Sequence, residues 1–335
     1  MNRRNFLTYF GVTLIALLLF ASLGAYAKTD LKVFHAGSLT IPFSQIEQAF
    51  EEQHPDVDVQ LEGHGSVVAV RQVTEVGQEV DVVAVADYSL LPSMMLPDYA
   101  DFYLQFAKNR MVVAYTDEIG MSDVVNSDNW YNVLAHPEVR YGFSDPNMDP
   151  CGYRSLMVMQ LAEAHYLDDE ILEELVIDES AITVGEKNGN FKIHTPEALR
   201  PNTRELSIRE KSVDLVAMAQ EGGLDYAFEY MSVAKQHGLN YVTLPEAIDL
   251  SSMEYADTYR KVSVEISDGN VKTAKPIVYG ITIPSNAPHP ELAAEFVKLI
   301  ISEAGQGVFS ELGQPPIVPA RAFGETPAIL EDLTQ

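Results

Sequence analysis

The sequence predicts an α/β protein, and three observations carry that prediction. Extended apolar segments alternate with amphipathic helical ones along most of the chain. Val80–Ala86 is a near-continuous apolar run of the kind found in a buried parallel strand. An extended segment ending in glycine, then a serine, then a helix, occurs twice between Leu31 and Val76.

The chain has 335 residues and opens with an export signal. Arg3 and Arg4 precede an apolar run from Phe6 to Leu23, and Ala25-Tyr26-Ala27 has the small-x-small form of a signal-peptidase site. A signal peptide is therefore expected over 1–27, with the mature chain starting near Lys28. Arg3-Arg4-Asn5-Phe6-Leu7 also fits a twin-arginine export pattern. The run is long enough to serve instead as an uncleaved N-terminal membrane anchor. Both fates place the protein outside the cytoplasm, in a periplasmic or other extracytoplasmic space. The remaining residues suffice for two lobes or one large domain with a substantial core.

The first strand is expected at Leu31–Phe34, leading into Gly37-Ser38 and a helix over Ile41–Gln53. Pro42 suits that helix's first turn, and Phe43, Ile46 and Phe50 share one face. Val57–Leu61 alternates as a strand, leads into Gly63-His-Gly65-Ser66, and is followed by a helix over Val67–Val76. A further helix is expected near Leu90, and Arg110–Tyr115 reads as another strand. Helices follow over Trp130–Ala135, Tyr153–Tyr166, Glu170–Val176 and Arg209–Glu221. Gly185–Asn202, rich in Gly, Asn, Lys and Pro, reads as a surface excursion. Leu224–Tyr230 and Asn240–Leu244 read as strands flanking a Ser232–His237 helix. Pro276–Ile283 is a late strand, and Pro290–Ser302 an amphipathic helix. No solenoid repeat or low-complexity tract is present.

Charge narrows the partners. The net charge is −27, and loss of Arg3 and Arg4 with a leader leaves the remainder near −29. Nucleic acid and anionic membrane surfaces are disfavoured. An anionic guest is not, because long-range repulsion fades over about 8 Å at physiological salt and local N–H dipoles then dominate. Cys151 is the lone cysteine, so no intramolecular disulfide can form, and it reads as a small buried hydrophobe.

Enzyme constellations are missing: the sequence has no His-Glu-x-x-His, Walker loop, Gly-x-Ser-x-Gly elbow or Cys-x-x-Cys. The eight histidines are scattered with no i,i+3 or i,i+4 pair. His35 and His64 lie near the Gly-Ser turns and read as turn or core residues rather than metal ligands. Neither an enzyme activity nor a cofactor is expected. What remains is the pair of Gly-Ser turns. Each serine either caps its own helix or, with the helix's unpaired N–H groups, presents donors to an anion. A third candidate is Asp149 in Asp145-Pro-Asn147-Met-Asp149-Pro150-Cys151-Gly152, poised at the start of the Tyr153 helix. It either caps that helix or offers a carboxylate to a hard, high-valent metal centre within a bound oxyanion.

Five separated blocks stand out: Phe34-His-Ala-Gly-Ser-Leu39, Ala86-Asp-Tyr88, Asn147-Met-Asp-Pro-Cys-Gly-Tyr-Arg-Ser155, Ser232-Val-Ala-Lys-Gln-His237 and Lys275-Pro-Ile-Val-Tyr-Gly-Ile-Thr-Ile-Pro284. Together they closely resemble the archaeal-type tungstate/molybdate-binding proteins of ABC transporters. The likeness runs from about Leu31 to Pro319. It implies a two-lobed type II periplasmic-binding-protein fold, each lobe a mixed sheet flanked by helices, with the ligand in the interlobe cleft. Lobe 1 would comprise 28–112 and 280–335, and lobe 2 would comprise 113–279, with crossing segments near Arg110–Tyr115 and Pro276–Ile283.

The resemblance also implies that Ser38 and Ser66 donate hydroxyl and backbone N–H groups to the oxyanion. Tyr230 would line the cleft, and the Asp149 carboxylate would approach the tungsten or molybdenum itself. Members usually carry a second ligating glutamate where this chain has Ser212, in Arg209-Glu-Lys-Ser212-Val-Asp-Leu215. Ser212 would then leave the anion a tetrahedron held by hydrogen bonds, or water would complete the metal's shell. The implied partner is a membrane permease, served by a monomeric binding protein. Alternatives are a binding protein for sulfate, thiosulfate or phosphate, or an exported enzyme on the same scaffold.

Overall fold

The computed structural model describes residues 28–116 and 122–335, so the expected leader lies outside the described residues. The chain first lays down β1 (Thr29–Ala36), β2 (Val57–His64), β3 (Val82–Val85) and β4 (Phe102–Lys108). It crosses at Asn109 and Arg110 into β5 (Met111–Tyr115), β6 (Tyr141–Ser144), β7 (Thr183–Lys187), β8 (Asn190–His194), β9 (Leu206–Arg209), β10 (Tyr226–Tyr230), β11 (Asn240–Thr243), β12 (Val262–Glu265) and β13 (Val271–Thr273). It returns through residues 274–277 to β14 (Val278–Thr282) and β15 (Pro316–Gly324).

These strands form two lobes. The first lobe is a six-stranded sheet in the order β15-β4-β14-β3-β1-β2. β1 runs parallel to both β2 and β3, whereas β14 is antiparallel to β3 and to β4. The second lobe holds a five-stranded sheet, β11-β5-β10-β6-β9, and a four-stranded sheet, β13-β12-β8-β7. Strand content explains the burial: all four residues of β3 (Val-Val-Ala-Val) are buried, as is all of β10. A strand covered on both faces calls for such an apolar run, broken in β10 only by Glu229.

The helices follow the apolar periodicity. Thr40–Gln53 turns Pro42, Phe43, Ile46 and Phe50 inward. There Phe43 and Phe50 meet Phe296 edge-on, and Phe43 also meets Phe309. Those partners belong to the helices Pro290–Ile301 and Glu303–Glu311. In the second lobe the helix Pro150–Tyr166 is buried on every face from Pro150 to Ala162. A helix apolar all round belongs inside a lobe, and its burial anchors Asp149 at its N-terminus.

Several expectations need correction. The chain changes lobe at the starts of Arg110–Tyr115 and Pro276–Ile283, near where the crossings are expected, and the rest of each segment pairs into β5 and β14. The boundaries expected at 112/113 and 279/280 therefore fall inside those strands. Gly185–Asn202 lies mostly at the surface, as expected, but part of it is regular: β7 and β8 pair as an antiparallel hairpin around Asn188-Gly189. Both turn residues have positive φ (55° and 71°), the demand of a two-residue hairpin turn that Asn-Gly meets. Arg209–Glu221 is a helix only over Ser212–Gln220, and Arg209 closes β9. Glu170–Val176 widens into a π-turn over Glu173–Ile177.

Candidate functional site

Four helix starts converge where the lobes meet: Gly37–Leu39 and Ser66–Thr74 from the first, Pro150–Tyr166 and Ser212–Gln220 from the second. Two glycines allow this approach. A Cβ at Gly65 would sit 2.5 Å from the Met148 carbonyl oxygen and 3.5 Å from Asp149 Cβ. A Cβ at Gly37 would lie 3.2 Å from Val213 Cγ2, beside Ser212. Val67 N–H donates to Met148 O across the junction at 3.2 Å.

Neither Gly-Ser serine caps its helix. Ala36 and Gly65 occupy the N-cap positions, and no side chain caps either start. Ser38 and Ser66 stand in the first turns, 3% and 0% exposed, with their hydroxyls committed elsewhere. Ala86 N–H donates to Ser66 Oγ at 3.0 Å. Tyr279 donates its hydroxyl to Ser38 Oγ at 2.9 Å. Tyr230, at the end of β10, accepts from Arg154 Nη1 at 2.7 Å, and the same Nη1 donates to Ala86 O at 2.8 Å. A hydroxyl whose oxygen already accepts a donor has its own hydrogen left to give. Among the described residues none of these three hydroxyls donates a hydrogen bond, so each keeps a hydrogen to give.

Asp149 does cap, and it does more. Its Oδ1 accepts from Cys151 N–H at 3.4 Å, while Oδ2 accepts from Ser212 N–H at 3.0 Å. The second of these holds two helix starts on one carboxyl. Burial raises the Asp149 pKa to about 6, overriding those N–H donors. Ser212 is thus beside Asp149 as expected, but its backbone donor is spent on that carboxyl.

The residue that sequence reasoning missed is Glu229. It lies in β10 directly before Tyr230 and is fully buried. Its Oε2 accepts from Tyr230 N–H at 3.0 Å and from Cys151 Sγ at 3.3 Å, while Oε1 has no hydrogen-bond partner. Burial and then the charge on Asp149 push its pKa up to about 8, against the pull of Ser212. A signal was available: Tyr-Ala-Phe-Glu-Tyr places one acid inside a wholly apolar strand, where an ionised group is costly unless it has a task.

Counter-charge comes from below. Asp87 would be raised by burial, but Lys275 at 3.1 Å and Arg154 hold it well below the usual carboxylate range. Tyr153 donates to it at 2.8 Å. Arg154 is 2% exposed and spans both lobes through Ala86 and Tyr230. His35 is buried with Nδ1 2.9 Å from Ala36 O, and burial lowers its pKa to about 4, which keeps it neutral. The structure therefore brings Ser38, Ser66, Asp149, Ser212 and Tyr230 to one junction and adds Glu229. The arrangement gathers O–H donors from both lobes and two carboxyl groups from the second.

Comparison with known proteins agrees with this architecture. The family model for bacterial extracellular solute-binding proteins matches residues 31–313. An uncharacterized solute-binding protein of Methanoculleus marisnigri is 52% identical over 314 residues, covering 93% of this chain and 88% of that protein. The molybdate/tungstate-binding protein WtpA of Pyrococcus abyssi is 46% identical over 313 residues, covering 91% and 90%. Among solved structures, the Azotobacter vinelandii periplasmic molybdate-binding protein aligns with a TM-score of 0.57 at 16% identity, over 85% of this chain and 98% of its own. At that identity the likeness speaks for the fold alone. With the family model and relatives spanning nearly all of the described chain, this protein belongs to the extracellular solute-binding proteins.

Proposed function

We propose that this protein captures tungstate or molybdate outside the cytoplasm and delivers it to the membrane permease of an ABC transporter. One observation carries the reading most: three buried hydroxyls with unspent hydrogens, Ser38 and Ser66 from the first lobe and Tyr230 from the second, meet two buried carboxyl groups of the second lobe at the lobe junction. The 46% identity to a molybdate/tungstate-binding protein over most of both chains supports it. In this reading Ser38, Ser66 and Tyr230 donate to the oxyanion's oxygens. Asp149 and Glu229 bring carboxylate oxygens to the metal, which as a hard, high-valent centre prefers oxygen donors. Ser212 acts through its N–H as the clamp on Asp149, and Glu229 supplies the second carboxylate that position 212 lacks. The protein works as a monomer, without cofactor or covalent chemistry, and hinge motion of the lobes admits and releases the guest. Removal of residues 1–27 frees it from the membrane. Among the described residues no helix is long and apolar enough to cross one.

Isothermal titration calorimetry of residues 28–335 tests this with tungstate, molybdate, sulfate and phosphate in turn. Tight one-to-one binding of the first two is expected. Hydrogen bonds to a charged group are worth about 1.5–3 kcal/mol each, so Ser38→Ala with Ser66→Ala costs at least about a hundredfold in affinity. Unchanged affinity in that pair, or preference for sulfate or phosphate, refutes the assignment.

A further inference from the structure

The hydrogen-bond network around Ser38 extends beyond the binding site to the point where the chain changes lobe. Asn109 stands in the first crossing, 4% exposed. Its Oδ1 accepts from Arg110 N–H at 3.0 Å and from Ser232 N–H at 3.4 Å. Backbone N–H groups can only donate, so they fix which end of the amide is oxygen. The Nδ2 end is thereby turned toward Ser232 Oγ at 2.7 Å and Tyr279 OH at 2.9 Å. An amide nitrogen can also only donate, so the Tyr279 oxygen is the acceptor there, and its hydrogen goes on to Ser38 Oγ. Tyr279 is fully buried, which shields this direction from exchange with water.

We propose that Tyr279, held by the Asn109 amide, is a positioning residue that makes Ser38 a dedicated donor to the bound oxyanion. The inference rests on the oxyanion reading above and adds to it a source for the serine's polarity. It also ties that polarity to the hinge, because Asn109 contacts Ser232 on one lobe and Tyr279 on the other. Bending at the crossing moves the group that orients the donor.

A double-mutant cycle in the mature chain tests the relay, with tungstate affinity measured for wild type, Tyr279→Phe, Ser38→Ala and the double variant. Loss of Tyr279's hydroxyl leaves Ser38 free to rotate and weakens binding about fivefold to tenfold. If Tyr279 acts only through Ser38, the double variant binds within about twofold of Ser38→Ala alone. A general packing defect would instead multiply the two losses. Asn109→Asp supplies a second variant that retains side-chain size but presents an acceptor to Tyr279, and it is expected to weaken tungstate binding comparably. Multiplicative losses, or wild-type affinity in both Tyr279→Phe and Asn109→Asp, overturn the relay while leaving the oxyanion reading intact. A wild type silent toward every oxyanion removes both.

Discussion

Replacing Glu229 by glutamine should change how stability depends on pH, and the structure gives the size of the change. The Glu229 pKa rises from 4.5 to about 8 in the folded chain. The folded state therefore binds this proton more tightly than the unfolded state does, and stability falls as pH rises between those values. A shift of that size corresponds to about 5 kcal/mol in full, with half or more, about 2 to 3 kcal/mol, lost between pH 5 and pH 7. The remainder is lost by about pH 9, above which both states are ionised. Glutamine keeps the carbonyl acceptor for Tyr230 N–H and carries no titrating proton. Denaturant unfolding of wild type and Glu229→Gln without added oxyanion, at pH 5, 7 and 9, isolates this contribution as the difference between their pH profiles. The variant should gain about 2 to 3 kcal/mol on wild type from pH 5 to pH 7. Its tungstate affinity should fall at the same time, because an amide is a poorer ligand for the metal. Parallel pH profiles would show that Glu229 is not the buried, proton-holding group described here.

Two further outcomes follow from the lobe junction. Gly65→Ala would put a methyl 2.5 Å from Met148 O, so the lobes must part to accommodate it. Overpacking of that kind costs about 1–3 kcal/mol. It should appear as a fivefold or greater loss of tungstate affinity with little change in ligand-free melting, and equal affinity would refute the close approach. Arg71, on the Ser66–Thr74 helix, pairs across the cleft mouth with Asp268 between β12 and β13. Both side chains are about a quarter exposed, so the pair is worth roughly 0.2–1 kcal/mol. Arg71→Ala or Asp268→Ala should speed tungstate release up to about fivefold in stopped-flow measurements at low salt. Rates that match wild type, or that ignore salt, would argue against a closing contact.

Much of the fold was legible because apolar periodicity is a local property. Phe43, Ile46 and Phe50 share a helix face at any position in space, and the Val82–Val85 run could only be a covered strand. Gly185–Asn202 is at the surface as expected, and its hairpin was also legible, since Asn188-Gly189 is itself a hairpin signal. β12 and β13 were harder. Val262–Glu265 and Val271–Thr273 are short and half exposed, and they become strands only by pairing with each other and β8.

The sequence by itself determined the α/β class and the presence of two Gly-Ser helix starts with Asp149 at a third. Each follows from neighbours along the chain. Tertiary structure alone decided what those groups do. Ser38 and Ser66 are not caps, and their hydroxyl hydrogens stay available, because Tyr279, 241 residues from Ser38, and Ala86, 20 residues from Ser66, occupy their oxygens. Glu229 joins the candidate site because it is buried beside Asp149, which raises its pKa. Hydrogen-bond direction and desolvation depend on what surrounds an atom in three dimensions, and no spacing along the chain encodes them.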